Sequence, residues 1–108
     1  MRLALVLGVV GLVMAAGPAR GQDVVKGAKV YADQKCAMCH SIGGVGNKKG
    51  PLDGVGSKYS SADLHAWIID AKGMTEKAKA DRKPPMKNYA LPKDDVDALV
   101  AYMASLKK

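Results

Sequence analysis

The chain has 108 residues, which limits it to one small domain. Phe is absent, with one Trp and four Tyr, so a core filled by large aromatic side chains is excluded and something else must occupy its centre. The charge is basic, +7 from 17 Lys and Arg against 10 Asp and Glu, and the two cysteines are too close in sequence for a disulfide to close a useful loop.

Arg2 gives the chain a positive start, and residues 3–19 carry no charge. Ala19-Arg20-Gly21 puts small residues at the −3 and −1 positions of a cleavage site before Gln22. This order predicts a secretory signal peptide over residues 1–21. The alternative is an uncleaved anchor, but its apolar run of about 15 residues falls short of the roughly 20 that cross hydrocarbon. Cleavage leaves residues 22–108 as the domain. Loss of Arg2 and Arg20 lowers Lys plus Arg from 17 to 15, and against 10 acidic residues the balance becomes +5. A domain this short often needs a disulfide, metal or cofactor for stability.

The first helix is expected over 23–35, with Val24, Ala28 and Tyr31 recurring at i, i+4, i+7 and Asp23 at its positive end. Residues 41–57 contain six glycines and Pro51 and read as a long irregular surface loop. Ser60 or Ser61 caps a second helix reaching about Ala71, with Leu64, Trp67, Ile68 and Ala71 on one stripe and Gly73 as its stop. Residues 74–83 are strongly charged and suit a short exposed helix. Pro84-Pro85 then forces extended backbone, on which Met86 sits. Pro92 opens a last helix whose stripe is Val96, Leu99, Val100 and Met103, with Asp94, Asp95 and Asp97 toward its positive end. No stretch alternates as a strand does. The fold class is all-α.

Cys36-Ala37-Met38-Cys39-His40 is a C-x-x-C-H sequence, the pattern of covalent c-type haem attachment. Two thiols three residues apart on a helical turn reach two vinyl groups on one porphyrin edge, and the next imidazole falls beneath the iron. A dithiol redox site needs a βαβ context that is missing. A zinc site would need all of Cys36, Cys39, His40 and His65 at an unsuitable spacing. Electron-transfer haems take a second axial ligand, and Met raises the reduction potential. Met38 is confined to the attachment turn, Met103 belongs to the last helix's apolar stripe, and Met74 follows a helix end. Met86 is favoured because two prolines stiffen its loop and lower the entropy lost in holding a ligand. His65, at the edge of its helix stripe, reads as a surface or rim residue.

These residues resemble class I, single-haem, His/Met cytochromes c of the small bacterial periplasmic type. The resemblance covers residues 23–108 and rests on the attachment motif, Gly50-Pro51-Leu52, Pro84-Pro85-Met86 placed 46 residues after His40, and Leu99-Val100-Ala101-Tyr102. It implies a cytochrome c-like fold of three main helices and loops wrapped around one covalent haem c. It implies Cys36 and Cys39 as thioether residues, and His40 and Met86 as iron ligands. Gly27 with Tyr31, and Leu99 with Tyr102, match the crossing of the terminal helices. The Pro51 carbonyl is expected to accept from the His40 ring. Trp67, Tyr59 and Lys58 are candidates for haem propionates, although Trp67 is equally suited to the core. Asn88 or Tyr89 is expected near the Met86 sulfur or the haem edge.

The implied function is a one-electron carrier between periplasmic or membrane redox partners, monomeric, with no enzymatic activity, no nucleic acid and no stable membrane insertion after cleavage. Lys48, Lys49, Lys83 and Lys87 are expected to border the haem edge and steer acidic partner surfaces. The alternatives are a fixed electron-transfer subunit of a membrane complex and an open-site gas-binding or enzymatic haem protein.

Overall fold

Two helices from opposite ends of the chain cross to make the frame. The computed structural model describes residues 19–108. Helix α1 spans Ala19–Asp33 and α5 spans Lys93–Ser105, and among the described residues they share the most extensive packing. Helix α1 starts four residues before the expected Asp23 and runs across the expected cleavage point after Gly21. The apolar leader itself, through residue 18, lies outside the described residues. Among the described residues no helix is long and apolar enough to cross a membrane.

The crossing explains Gly27, which as a helix residue costs about 1 kcal/mol relative to Ala. A Cβ there would land on the Ala98 carbonyl oxygen, 2.6 Å from Tyr102 Cβ and 2.8 Å from the Ala98 carbonyl carbon. Only a missing side chain lets the two backbones meet. Beside this contact the Tyr31 and Tyr102 rings pack edge to face, centroids 5.8 Å apart, a geometry aromatic pairs favour. The close approach rotates the inward face of α1 relative to expectation. Gly27 and Val30 are buried, while Val24, Ala28 and Tyr31 are half-buried flanks.

Helix α1 stops at Asp33 because Lys35 turns into the left-handed region, φ 55°. A one-turn 3-10 helix, Cys36–Met38, follows. The expected surface loop holds more structure than its glycines suggested. Strands β1 (Ser41–Ile42) and β2 (Val45–Gly46) form an antiparallel hairpin. Gly43 and Gly44, φ 58° and 80°, supply the two positive-φ positions that a tight two-residue turn demands. Helix α2, Val55–Lys58, then packs on α5, where Gly56 donates to the Leu106 carbonyl at 2.9 Å.

Helix α3 is Ser61–Ile69, capped by Ser60, whose hydroxyl accepts from Asp63 N–H at 3.1 Å. Its stripe buries Leu64 and Ile68, with Ala71 fully buried just beyond its end. Gly73 does not stop it. Asp70 closes α3 and caps α4, Ala71–Ala78, by accepting from the Gly73 N–H at 3.1 Å. Gly73 is therefore inside the first turn of α4, where a Cβ would collide with the Asp70 carboxylate. In α5, Pro92 sits at the cap and Asp94 and Asp95 occupy the first turn. The core joins Val30, Leu64, Ile68, Val96, Leu99 and Met103, a modest apolar set for holding the elements of a domain this small.

Candidate haem site

The attachment turn is a rigid local unit. Cys39 N–H and His40 N–H both donate to the Cys36 carbonyl, at 3.1 and 2.9 Å. Asn47, which the sequence reading passed over, fastens this turn to the hairpin. Its backbone N–H reaches the Ala37 and His40 carbonyls at 3.0 and 2.9 Å, and its side-chain amide donates to the Met38 carbonyl at 3.0 Å. Gly46 leaves no room for a side chain against the His40 carbonyl and Ala37. The signal was available, since an Asn after a glycine turn commonly bonds local backbone.

The turn leaves both thiols free. Cys36 is half-buried and Cys39 exposed, and burial pushes the Cys36 thiol up. The spacing puts the pair on one short helical turn, with Met38 pointing outward, 70% exposed.

His40 is half-buried, and its Nδ1 lies 3.0 Å from the Gly50 carbonyl oxygen. A carbonyl only accepts, so Nδ1 carries the proton and the lone pair of the neutral ring is on Nε2. The acceptor differs from expectation: it is Gly50, one residue before Pro51. The Gly50 carbonyl is itself held by the Ser41 N–H at 3.1 Å, while Leu52 N–H donates to the Ser41 carbonyl at 2.8 Å. Pro51 is exposed and bridges Ser41 in a parallel pairing. Having no N–H, it adds no donor between these two bonds. Burial is the main cause that holds the His40 pKa below its ordinary value; the Gly50 bond opposes it and the Arg82 charge adds to it.

Met86 is half-buried on irregular backbone after the cis Lys83–Pro84 peptide. Its segment is fixed at two points further on. Tyr89 N–H donates to the Ile68 carbonyl at 2.9 Å, and the Asn88 side-chain oxygen accepts from Lys72 N–H at 2.9 Å. Asn88 thus uses its oxygen on the start of α4. Burial pushes the Tyr89 phenol up, and Cys36 and Cys39 add to the shift. Lys87, whose Nζ is 4.9 Å from the Tyr89 ring centroid, pulls the Cys36 thiol in the other direction. The fold thus brings the Met86 segment within electrostatic reach of the attachment turn. Met74 lies within α4, its N–H bonded to the Asp70 carbonyl at 3.0 Å.

Trp67 and Tyr59 meet edge to face at 6.5 Å, and Lys58 Nζ is 5.2 Å from the Tyr59 ring centroid. The Trp67 indole N–H and the Tyr31 hydroxyl are buried with no hydrogen-bond partner among the described residues. Burial pushes the Tyr31 phenol up to about 12, with Cys36 the next cause. Buried polar groups are rarely left unpaired. Two orphaned donors, two free thiols and an imidazole with its Nε2 lone pair available fit a porphyrin bearing vinyl groups, carboxylates and iron. His65 is half-buried. Among the described residues no three His, Cys, Asp or Glu side chains converge, so Cys36, Cys39, His40 and His65 are not assembled as a zinc shell.

Residues 24–107 match the model of the cytochrome c family. The chain is also similar to cytochrome c oxidase subunit 2 of Alkalihalophilus pseudofirmus, at 30% identity over 91 residues. That alignment takes in 76% of this chain and 25% of the relative, so the chain spans about a quarter of the curated relative's length. No solved structure matches.

Proposed function

The chain belongs to the cytochrome c family and carries haem c, covalently bound with its iron; from that premise we propose that it is a one-electron carrier between redox proteins, with no catalysis of its own. The observation that carries the reading is the 3.0 Å bond from His40 Nδ1 to Gly50. It fixes the ring orientation, leaves Nε2 for iron and makes the imidazole a stronger donor. Cys36 and Cys39 provide the thioether links, so the cofactor stays attached whichever axial bond breaks. Met86 would supply the second ligand to the iron, and Trp67 and Tyr59 would help to hold the haem carboxylates.

The haem supplies a site that cycles between ferric and ferrous iron by one electron. The protein's part is to hold both ligands in either state, which keeps reorganisation small, and to keep water from the iron. Ferric spectroscopy tests this. Low-spin iron with a Met-to-iron charge-transfer band is expected, and Met86→Ala should abolish the band and open the iron to CO. A band that survives Met86→Ala assigns the ligand to Met74. High-spin ferric iron in the unaltered protein would favour a gas-binding or enzymatic site.

Lys48, Lys49, Lys83 and Lys87 are all exposed on the loops that flank the attachment turn and Met86. They support docking to acidic partner surfaces, in which case oxidation by a partner slows steeply as salt rises. The expected setting is the periplasm, with the domain monomeric. The likeness to an oxidase subunit favours one second reading, a fixed electron-transfer subunit of a membrane complex. Intact mass and fractionation of the native protein separate the two: the carrier is cleaved after Gly21 and released, whereas the subunit stays with the membrane.

A further inference from the structure

Arg82 lies four residues before Met86, yet its side chain is spent on the His40 side of the site. It is half-buried. A Cβ on Gly50 would strike both Arg82 Nη1 and the Cys39 carbonyl oxygen, and would lie 3.0 Å from the guanidinium carbon. The guanidinium thus fills the space that any side chain at position 50 would take. It lies against the residue whose carbonyl holds His40 Nδ1. Among the described residues Arg82 forms no ion pair. An unpaired, permanently charged group that is half removed from water calls for a role, because partial burial of an unpaired charge is costly.

We propose that Arg82 is a positioning residue for the redox centre: its guanidinium places a fixed positive charge beside the Gly50–His40 hydrogen bond and raises the reduction potential of the iron that His40 holds. This rests on the reading of His40 as an axial ligand. Reduction adds one electron at the iron with no bond made or broken, so a nearby cation favours the ferrous state. The same cation draws electron density from the Gly50 carbonyl and weakens it as an acceptor. The imidazole then donates less to the iron, which shifts the balance in the same direction. A surface lysine would be screened by salt over about 8–10 Å, but a half-buried charge is screened much less.

The test is spectroelectrochemical titration of the holoprotein and two variants, Arg82→Met and Arg82→Lys. Arg82→Met keeps the bulk and loses the charge. It should lower the ferric-to-ferrous equilibrium constant by up to about tenfold, equivalent to about 59 mV for one electron. Arg82→Lys keeps the charge and should retain most of the potential. Both should remain low-spin with the Met-to-iron band, and the Arg82→Met shift should persist at high salt. An unchanged potential in Arg82→Met overturns the proposal, and so does an equal fall in both variants. Loss of the Met band in Arg82→Met also overturns it, by making Arg82 a tether of the Met86 segment. Failure of the ligand reading itself would show separately, as a high-spin spectrum in the unaltered protein.

Discussion

The crossing of α1 with α5 and the segment from Lys79 to Pro92 are held by opposite means. At the crossing, backbone meets backbone through Gly27, and the surrounding side chains are buried. The 79–92 segment has no regular structure and, beyond its ends, depends on a few long-range contacts: Tyr89 to Ile68, Asn88 to Lys72, and Arg82 against Gly50. Stability is not uniform within a domain, and segments with few buried apolar contacts open first. The crossing is therefore made by protein contacts alone, whereas the Met86 segment would, on the proposed reading, be completed by the ligand it supplies. An electron carrier of the proposed kind would gain from this division, because the frame need not move when the electron does.

The strongest test asks whether the frame stands without the cofactor at all. A ligand bound only by the native state stabilises it, and the buried apolar set here is small. Cys36→Ser/Cys39→Ser is expected to be largely unfolded, with most far-UV helical signal lost. Native-like circular dichroism in that variant would mean that the crossing is self-sufficient, and would make the contrast sharper than we draw it.

Next in size is Gly27→Ala. On helix propensity alone this change gains about 1 kcal/mol. In this fold the new methyl group meets the Ala98 carbonyl, which is backbone and cannot rotate away. Overpacking of this kind costs about 1–3 kcal/mol and more where relief is blocked. A net loss of about 2 kcal/mol is expected in chemical denaturation of the holoprotein, with the Met-to-iron band kept below the transition. A gain in stability would mean that the helices do not meet there.

Much of this was readable in the residues. The Ser60 cap and the need for a glycine at position 27 are local patterns with local causes and stand where expected, and the α5 stripe buries Val96, Leu99 and Met103, with Val100 half-buried and Ala98 buried in addition. The misreadings share a different cause: they depend on which neighbour the fold supplies. Gly73 resembles a helix stop until Asp70 is seen to begin a new cap. The inward face of α1 is shifted toward Gly27 and Val30 because α5 approaches at the glycine and not along the apolar stripe. The His40 acceptor is Gly50 and not Pro51 because the Ser41 N–H aims that carbonyl inward. The Gly43-Gly44 hairpin was the avoidable miss, since two adjacent glycines between apolar residues are a turn signal in their own right.

In the Met86 segment the expected effects are smaller and local. Asn88→Ala removes the acceptor for Lys72 N–H at the first turn of α4. Loss of a capping side chain costs about 1 kcal/mol. Hydrogen exchange should accelerate in residues 71–74 and 86–89, while α1 and α5 amides stay protected. Uniform loss of protection would show that the two regions unfold as one unit, against the comparison.

The smallest effect carries the opposite sign. Lys79 ends α4 in the left-handed region at φ 53°, while its N–H donates to the Glu76 carbonyl and the Ala80 N–H to the Thr75 carbonyl. A residue with a Cβ is disfavoured there by about 1–2 kcal/mol. Lys79→Gly relieves that cost but enlarges the entropy of the unfolded chain, which takes back about 0.5–1 kcal/mol. The balance is a gain of about 0.5 kcal/mol. Because Lys79 stands at the entry to the Met86 segment, that gain should appear as slower local exchange through α4, with the global unfolding midpoint almost unmoved. If the midpoint rose by the full amount, α4 would unfold with the frame and not with the Met86 segment that follows it.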